Sequence, residues 1–131
     1  LRKQPKMYLG DWSLLTDTGT KVENFVASHL LKAVHWWTDN GLGDYGLYFL
    51  RDKEKREVDF LITKSEKPWL LVEVKSGQTK KINKNLIYFQ NQTGAPHAFQ
   101  ASNELEYVNR DCFQFSHPMV VPIRTLLSQL I

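Results

Sequence analysis

Cysteine is almost missing from this 131-residue chain, with Cys112 the only one. An internal disulfide framework is thereby excluded, and the chain suits a reducing compartment, expected to be the cytoplasm. The four histidines, His29, His35, His97 and His117, show no zinc-ligand spacing with or without Cys112. No apolar run approaches the roughly 20 residues needed to cross a bilayer, and no secretory leader pattern is visible. Without a leader, Asn91-Gln92-Thr93 carries little weight as a glycosylation sequon. No G-x-x-x-x-G-K-[S/T] occurs, so neither an ATP site nor ATPase activity is expected from this stretch. Internal repeats and low-complexity segments are also missing, which leaves one domain over residues 1–131.

Hydrophobic residues at 42% and charged residues at 24% are ordinary for a globule able to bury a core. Net charge +3 is compatible with a nucleic-acid partner without requiring one. The chain starts at Leu1 rather than Met, so it reads as a fragment of something longer.

The stretch from Glu57 to Lys75 is the most informative. Glu57-Val58-Asp59-Phe60-Leu61-Ile62 and Leu70-Leu71-Val72-Glu73-Val74-Lys75 are strand-like runs carrying acids in an apolar setting. Ser65-Glu66-Lys67-Pro68 between them reads as a hairpin turn. Counting outward from a turn centred on Glu66 sets Asp59 opposite Glu73, with Cβ atoms roughly 5 Å apart. Lys75 shares the face of Glu73 because strand side chains alternate. Two like charges so close are destabilising unless a proton or cation lies between them, and a divalent metal suits the position. The same register sets Glu57 opposite Lys75, so a half-exposed strand with a surface ion pair fits the residues equally well.

An acid, then Asp59, then Glu73-Val74-Lys75 on the next strand resembles the core of the PD-(D/E)XK nuclease superfamily, with Val58 where that motif has Pro. Gly19-Thr20-Lys21-Val22-Glu23-Asn24-Phe25-Val26, Glu73-Val74-Lys75-Ser76-Gly77, the opening Lys6-Met7-Tyr8-Leu9-Gly10-Asp11 and the closing Pro122-Ile123-Arg124-Thr125-Leu126-Leu127 extend the likeness over nearly the whole chain. Together these segments resemble the nuclease-like C-terminal domain fused behind AAA+-type ATPases of bacteria and archaea. That resemblance implies a restriction-endonuclease-like α/β sandwich, with a central mixed sheet of four to five strands flanked by helices. It implies Mg²⁺ or Mn²⁺ on Asp59, Glu73 and the Val74 carbonyl, with Glu23 assisting, and Lys75 orienting or helping to deprotonate the attacking water. An upstream ATPase domain of the same chain and DNA are the implied partners, and a homo-oligomer is open.

Elsewhere, residues 1–18 read as an irregular entry with Trp12, Leu14 and Leu15 available for docking. A helix is expected from about Lys21 to Trp37, with Val22, Phe25, Val26, Leu30, Ala33, Val34 and Trp37 on its core face. Thr20 and Glu23 form an S/T-x-x-E capping box, a role that competes with the metal site for Glu23. Gly41-Leu42-Gly43-Asp44-Tyr45-Gly46 follows a helix and precedes a strand, the reverse of a dinucleotide fingerprint, and reads as a loop. Strands are expected at 47–51, 57–63, 69–75, 98–101 and 112–115. Ile82, Leu86 and Phe89 mark a second helix ended by Gly94, and Ile123, Leu126, Leu127 and Leu130 a short third one. Arg51, Lys53, Lys55 and Arg56, with Lys80, Lys81 and Lys84, offer cations to a phosphate backbone, although Asp52 and Glu54 also make 51–56 read as a solvated turn. Gln78 and Gln90 are auxiliary polar groups, and the tryptophans read as core or docking surface. Trp36-Trp37 and the apolar third helix leave a pure oligomerisation domain as a further reading, beside a nuclease and a silent DNA-docking module.

Overall fold

The computed structural model describes residues 7–11, 21–77 and 80–130, the first of these stretches as backbone only. A six-stranded sheet in the order β1-β2-β3-β4-β5-β6 forms the middle layer. Strands β1 (Met7–Asp11), β2 (Tyr45–Asp52), β3 (Glu57–Lys64) and β4 (Lys67–Lys75) pair antiparallel. Strands β5 (His97–Ser102) and β6 (Met119–Pro122) continue the sheet parallel to β4. A parallel step needs a crossover, and α2 (Lys84–Thr93) provides it between β4 and β5. The fold is thus an α/β sandwich with a mixed sheet, as the sequence implies, with six strands where four to five are expected.

Two cores lie on opposite faces of the sheet. On one face, α1 (Lys21–Asp39) and α3 (Ile123–Ser128) pack over Phe60, Ile62, Leu70, Val72 and Phe99. On the other, Leu86 and Phe89 of α2 cover Leu61, Leu71 and Ala98. Helix α1 buries Val26, Ala27, Leu30, Ala33, Val34 and Trp37. Each full burial of a large side chain is worth about 1.5–3 kcal/mol. Helix propensities differ by only about 0.7 kcal/mol per residue, so packing sets this helix. Trp37 adds a hydrogen bond from Nε1 to the Leu130 carbonyl, tying α1 to the end of the chain at 2.8 Å.

Four expectations need correction. Met7–Asp11 is an edge strand rather than irregular entry, while Trp12, Leu14 and Leu15 lie outside the described residues. The fifth strand is absent at 112–115. There the Asp111 side chain accepts from Phe113 N at 3.0 Å and starts a 3-10 turn over Cys112–Gln114, and the last strand is β6 instead. Phe25 is 53% exposed, not core. The hairpin turn is only Ser65 and Glu66, both at positive φ (51° and 67°), a two-residue connection whose backbone matches the strand twist. Helix α2 follows expectation: Gly94 ends it at φ 72°, its N–H bonded to the Gln90 carbonyl. The glycine-rich stretch after α1 is a loop, with Gly41 at φ 76°.

Candidate active site

The shorter turn should have moved the register by one, but a shift between Ile62 and Thr63 restores it. Phe60 pairs with Val72 and Ile62 with Leu70. Continuing those pairs sets Asp59 opposite Glu73, as the sequence implies. Here the backbone ladder stops and the two carboxylates replace it. Glu73 Oε1 accepts from Asp59 N at 3.1 Å, and Asp59 Oδ2 accepts from Val74 N at 2.8 Å. The acids therefore sit at the point where the two central strands part. A second irregularity helps: between Tyr48 and Leu50 the β2–β3 register shifts, so Phe49 faces both Asp59 and Phe60. Such bulges bend a strand and re-aim a side chain.

Glu73 is 8% exposed and Asp59 is half-buried. Burial, then the Asp59 charge and a hydrogen bond shared with Asp59, push the Glu73 carboxyl up to about 8. Glu73 therefore holds its proton near neutral pH. Lys75 Nζ lies 3.7 Å from Glu73 Oε2 and pulls the other way, more weakly. Glu23 reaches the same electrostatic neighbourhood from the first turn of α1. Its carboxyl is raised by burial and then by Asp59, and lowered by Lys75. Thr20, the other half of the expected capping box, lies outside the described residues. The surface ion pair between Glu57 and Lys75 does not form: Glu57 bonds Arg51 on β2 at 2.8 Å, and Lys75 turns to Glu73.

Hard carboxylate oxygens suit Mg²⁺ or Mn²⁺, and each acid uses one oxygen on a backbone N–H, leaving Asp59 Oδ1 and Glu73 Oε2 outside those two bonds. Among the described residues no three Asp, Glu, His or Cys side chains form a ready cage. Mg²⁺ is commonly held by one or two carboxylates and its own waters, so the pair fits it.

Gln100 lies beside Glu73 in the parallel ladder, a neighbour that the sequence does not announce. Fully buried, it accepts from Asn83 N at 2.8 Å and donates to the Lys81 carbonyl at 2.9 Å, and Asn83 in turn caps α2. Its one signal is a lone glutamine inside the apolar Ala98-Phe99-Gln100-Ala101. Next along β5, Ser102 Oγ is buried without a partner among the described residues. Gln78 lies outside the described residues. Gln90 bonds the Ala95 and Ser116 carbonyls and plays its part away from the acids.

The basic residues divide. Arg56 is structural: Nε meets buried Asp52 at 2.6 Å and its guanidinium lies 3.7 Å over the Tyr88 ring, docking the β2–β3 turn on α2. Burial would raise the Asp52 carboxyl, but the Arg56 bonds outweigh it and hold it below its ordinary range. Arg51 is engaged with Glu57, whereas Lys53, Lys55, Lys80, Lys81 and Lys84 are exposed. His97 packs against Trp69 and Phe113, and its Nδ1 lies 3.1 Å from the Phe115 carbonyl. Trp37, Tyr45 and Trp69 form one aromatic cluster, with Trp37 in the core and half-buried Trp69 packed against it, while Trp36 is 45% exposed. Burial pushes the Cys112 thiol up, with the Asp111 charge second. No described helix is long and apolar enough to cross a membrane.

The model of the family described as "Domain of unknown function (DUF4143)" matches residues 18–126. Neither a curated protein nor a solved structure matches the chain.

Proposed function

The chain belongs to the DUF4143 family, and since that description carries no activity, we propose from the site itself that the domain is a metal-dependent DNA phosphodiesterase of the PD-(D/E)XK type. One observation carries this reading: two carboxylates at the parting of the central strands, one raised to about 8, with a lysine ammonium 3.7 Å away. Perturbed acids cluster at functional sites, where acid–base chemistry needs them.

Asp59 and Glu73, with Glu23 and the Val74 carbonyl, would hold the ion. When bound, Mg²⁺ or Mn²⁺ supplies a water of lowered pKa and offsets charge on the phosphate. The chain's own residues do the rest. The Val74 and Asp59 N–H groups fix the two carboxylates in rotation. Lys75 orients the attacking water and balances phosphate charge, and β3 and β4, central in the sheet, keep that geometry rigid. The domain works in the cytoplasm beside an ATPase domain of the same chain, which supplies the nucleotide site this sequence lacks.

A second reading has its own support. Without a third ready ligand among the described residues, the fold would serve the same ATPase as a silent DNA-docking or regulatory module. Incubating the purified domain with plasmid and single-stranded DNA in Mn²⁺, Mg²⁺ or chelator separates the two. Metal-dependent, chelator-sensitive cleavage is expected, and binding without cleavage would favour docking.

The exposed lysines give a further expectation. Charge reversal of Lys53 and Lys55 together, or of Lys80, Lys81 and Lys84, should lower DNA affinity. It should also flatten the salt dependence by about 0.7–0.9 for each phosphate no longer neutralised. Arg56→Glu is different in kind, since it removes the Asp52 partner and should lower the melting temperature. Binding that ignores salt would leave the lysines as a solvated surface.

A further inference from the structure

The outer face of α1 carries what the site does not use. Phe25 is 53% and Trp36 45% exposed, at a spacing that separates them by about 16 Å along the helix. Between them on the same side lie His29, whose ring centroid is 4.6 Å from that of Phe25, and Lys32. Glu23 points the other way, toward the sheet, being two residues from Phe25 on a helix of 3.6 residues per turn. Alongside, a cavity of about 310 Å³ opens between α1 and α3, lined by His29, Lys32, Leu127 and Leu130.

Charge on this face is mostly positive. The sequence holds 14 acids, and none falls from Asn24 to Thr38 on α1 or from Cys112 to Leu130, the segment that includes α3, while exposed Asp39 closes α1 three residues past Trp36. Arg124 and Lys32 are exposed cations on the two helices. Flat rings with exposed cations beside them match the two parts of a single nucleic-acid strand: base faces that stack and phosphates that need counter-charge. An acidic peptide would satisfy the cations but has no use for two ring faces a turn or more apart.

We propose that the outer face of α1, with the α1–α3 cavity, is a docking track for single-stranded nucleic acid: bases stack on Phe25 and Trp36, phosphates meet Lys32 and Arg124, and the cavity accepts one base. The track deepens the phosphodiesterase reading by naming single strands as its substrate, and rests on that reading for this purpose only. It holds the strand outside the carboxylate site and takes no part in bond cleavage.

The test is fluorescence anisotropy of a labelled oligothymidylate with the purified domain in chelator, so that cleavage plays no part. Trp36→Ala and Phe25→Ala should each weaken binding about 5- to 150-fold, the equivalent of removing one base stack. Lys32→Glu should weaken it and reduce the salt slope. Both aromatic positions are exposed, so unchanged melting temperatures certify the variants. Wild-type affinity in all three variants would overturn the track. So would a duplex or a polyglutamate competing as well as oligothymidylate, or a Trp36→Ala effect traced by sedimentation to loss of a dimer. Oligothymidylate binding that needs Trp36, together with no cleavage in Mn²⁺, would keep the track and remove the phosphodiesterase. Cleavage with binding indifferent to Trp36 would do the reverse.

Discussion

Asp59→Asn and Lys75→Met are each expected to lower metal-dependent cleavage by about 10²–10⁴-fold, the range for loss of a positioned acid–base or charge-stabilising group. The two variants should differ from ordinary destabilised proteins. In Asp59→Asn the new amide oxygen can still accept from Val74 N, and its NH₂ can donate to Glu73, so both ends of the present arrangement survive. Near neutral pH, where Glu73 holds its proton, the metal-free fold should be about unchanged. Above pH 8, where both acids of the unmodified protein ionise, the variant should gain about 0.2–1 kcal/mol, the scale of a cross-strand pair. Were Asp59 only a structural acid, metal would leave the midpoints of both proteins where they are. Thermal melts with and without Mn²⁺, run beside the cleavage assay, distinguish the cases.

The largest effect on stability should come from pH. A carboxyl raised to about 8 binds its proton more tightly folded than unfolded, where it titrates near 4.5. Its contribution is therefore complete below about pH 4.5 and declines as pH climbs toward 8. The steepest loss is about 1.4 kcal/mol per pH unit. Glu23, also raised, acts in the same direction. Asp52 is held low and acts oppositely, its contribution present above its ordinary range and lost in acid. Metal-free protein should thus melt lower at pH 8 than at pH 5, and Glu73→Gln should flatten that slope. Mn²⁺ displaces the Glu73 proton, so its stabilisation should grow with pH. A metal-free protein with no fall in melting temperature between pH 5 and 8 would mean that Glu73 ionises normally.

The hairpin was legible because strand side chains alternate between two faces: slipping by one turns Phe60 and Ile62 from the α1 face onto the α2 face and Leu61 the other way. Even so, the register came out right through two compensating features, a shorter turn and a shift at Ile62–Thr63, and neither leaves a mark in composition. Helix α1 was legible from its period, apart from Phe25. Its position at the border of the apolar stripe looks the same in sequence whether a neighbour covers it or not. Strands β1 and β6 were misread because short runs such as Met119-Val120-Val121-Pro122 carry too little period to separate strand from loop, and Asp111 converts the better-looking run into a 3-10 turn. Gln100 was illegible because its role depends on backbone carbonyl and amide groups 17 to 19 residues away.

Calorimetric titration of Mn²⁺ into the metal-free domain at pH 7, in two buffers of different ionisation heat, bears most directly on the carboxylate pair. A metal site at Asp59 and Glu73 should bind one ion, release about one proton as Glu73 ionises, and lose most of its affinity in Asp59→Asn. Binding without proton release, binding equally strong in Asp59→Asn, or no binding at all would contradict it.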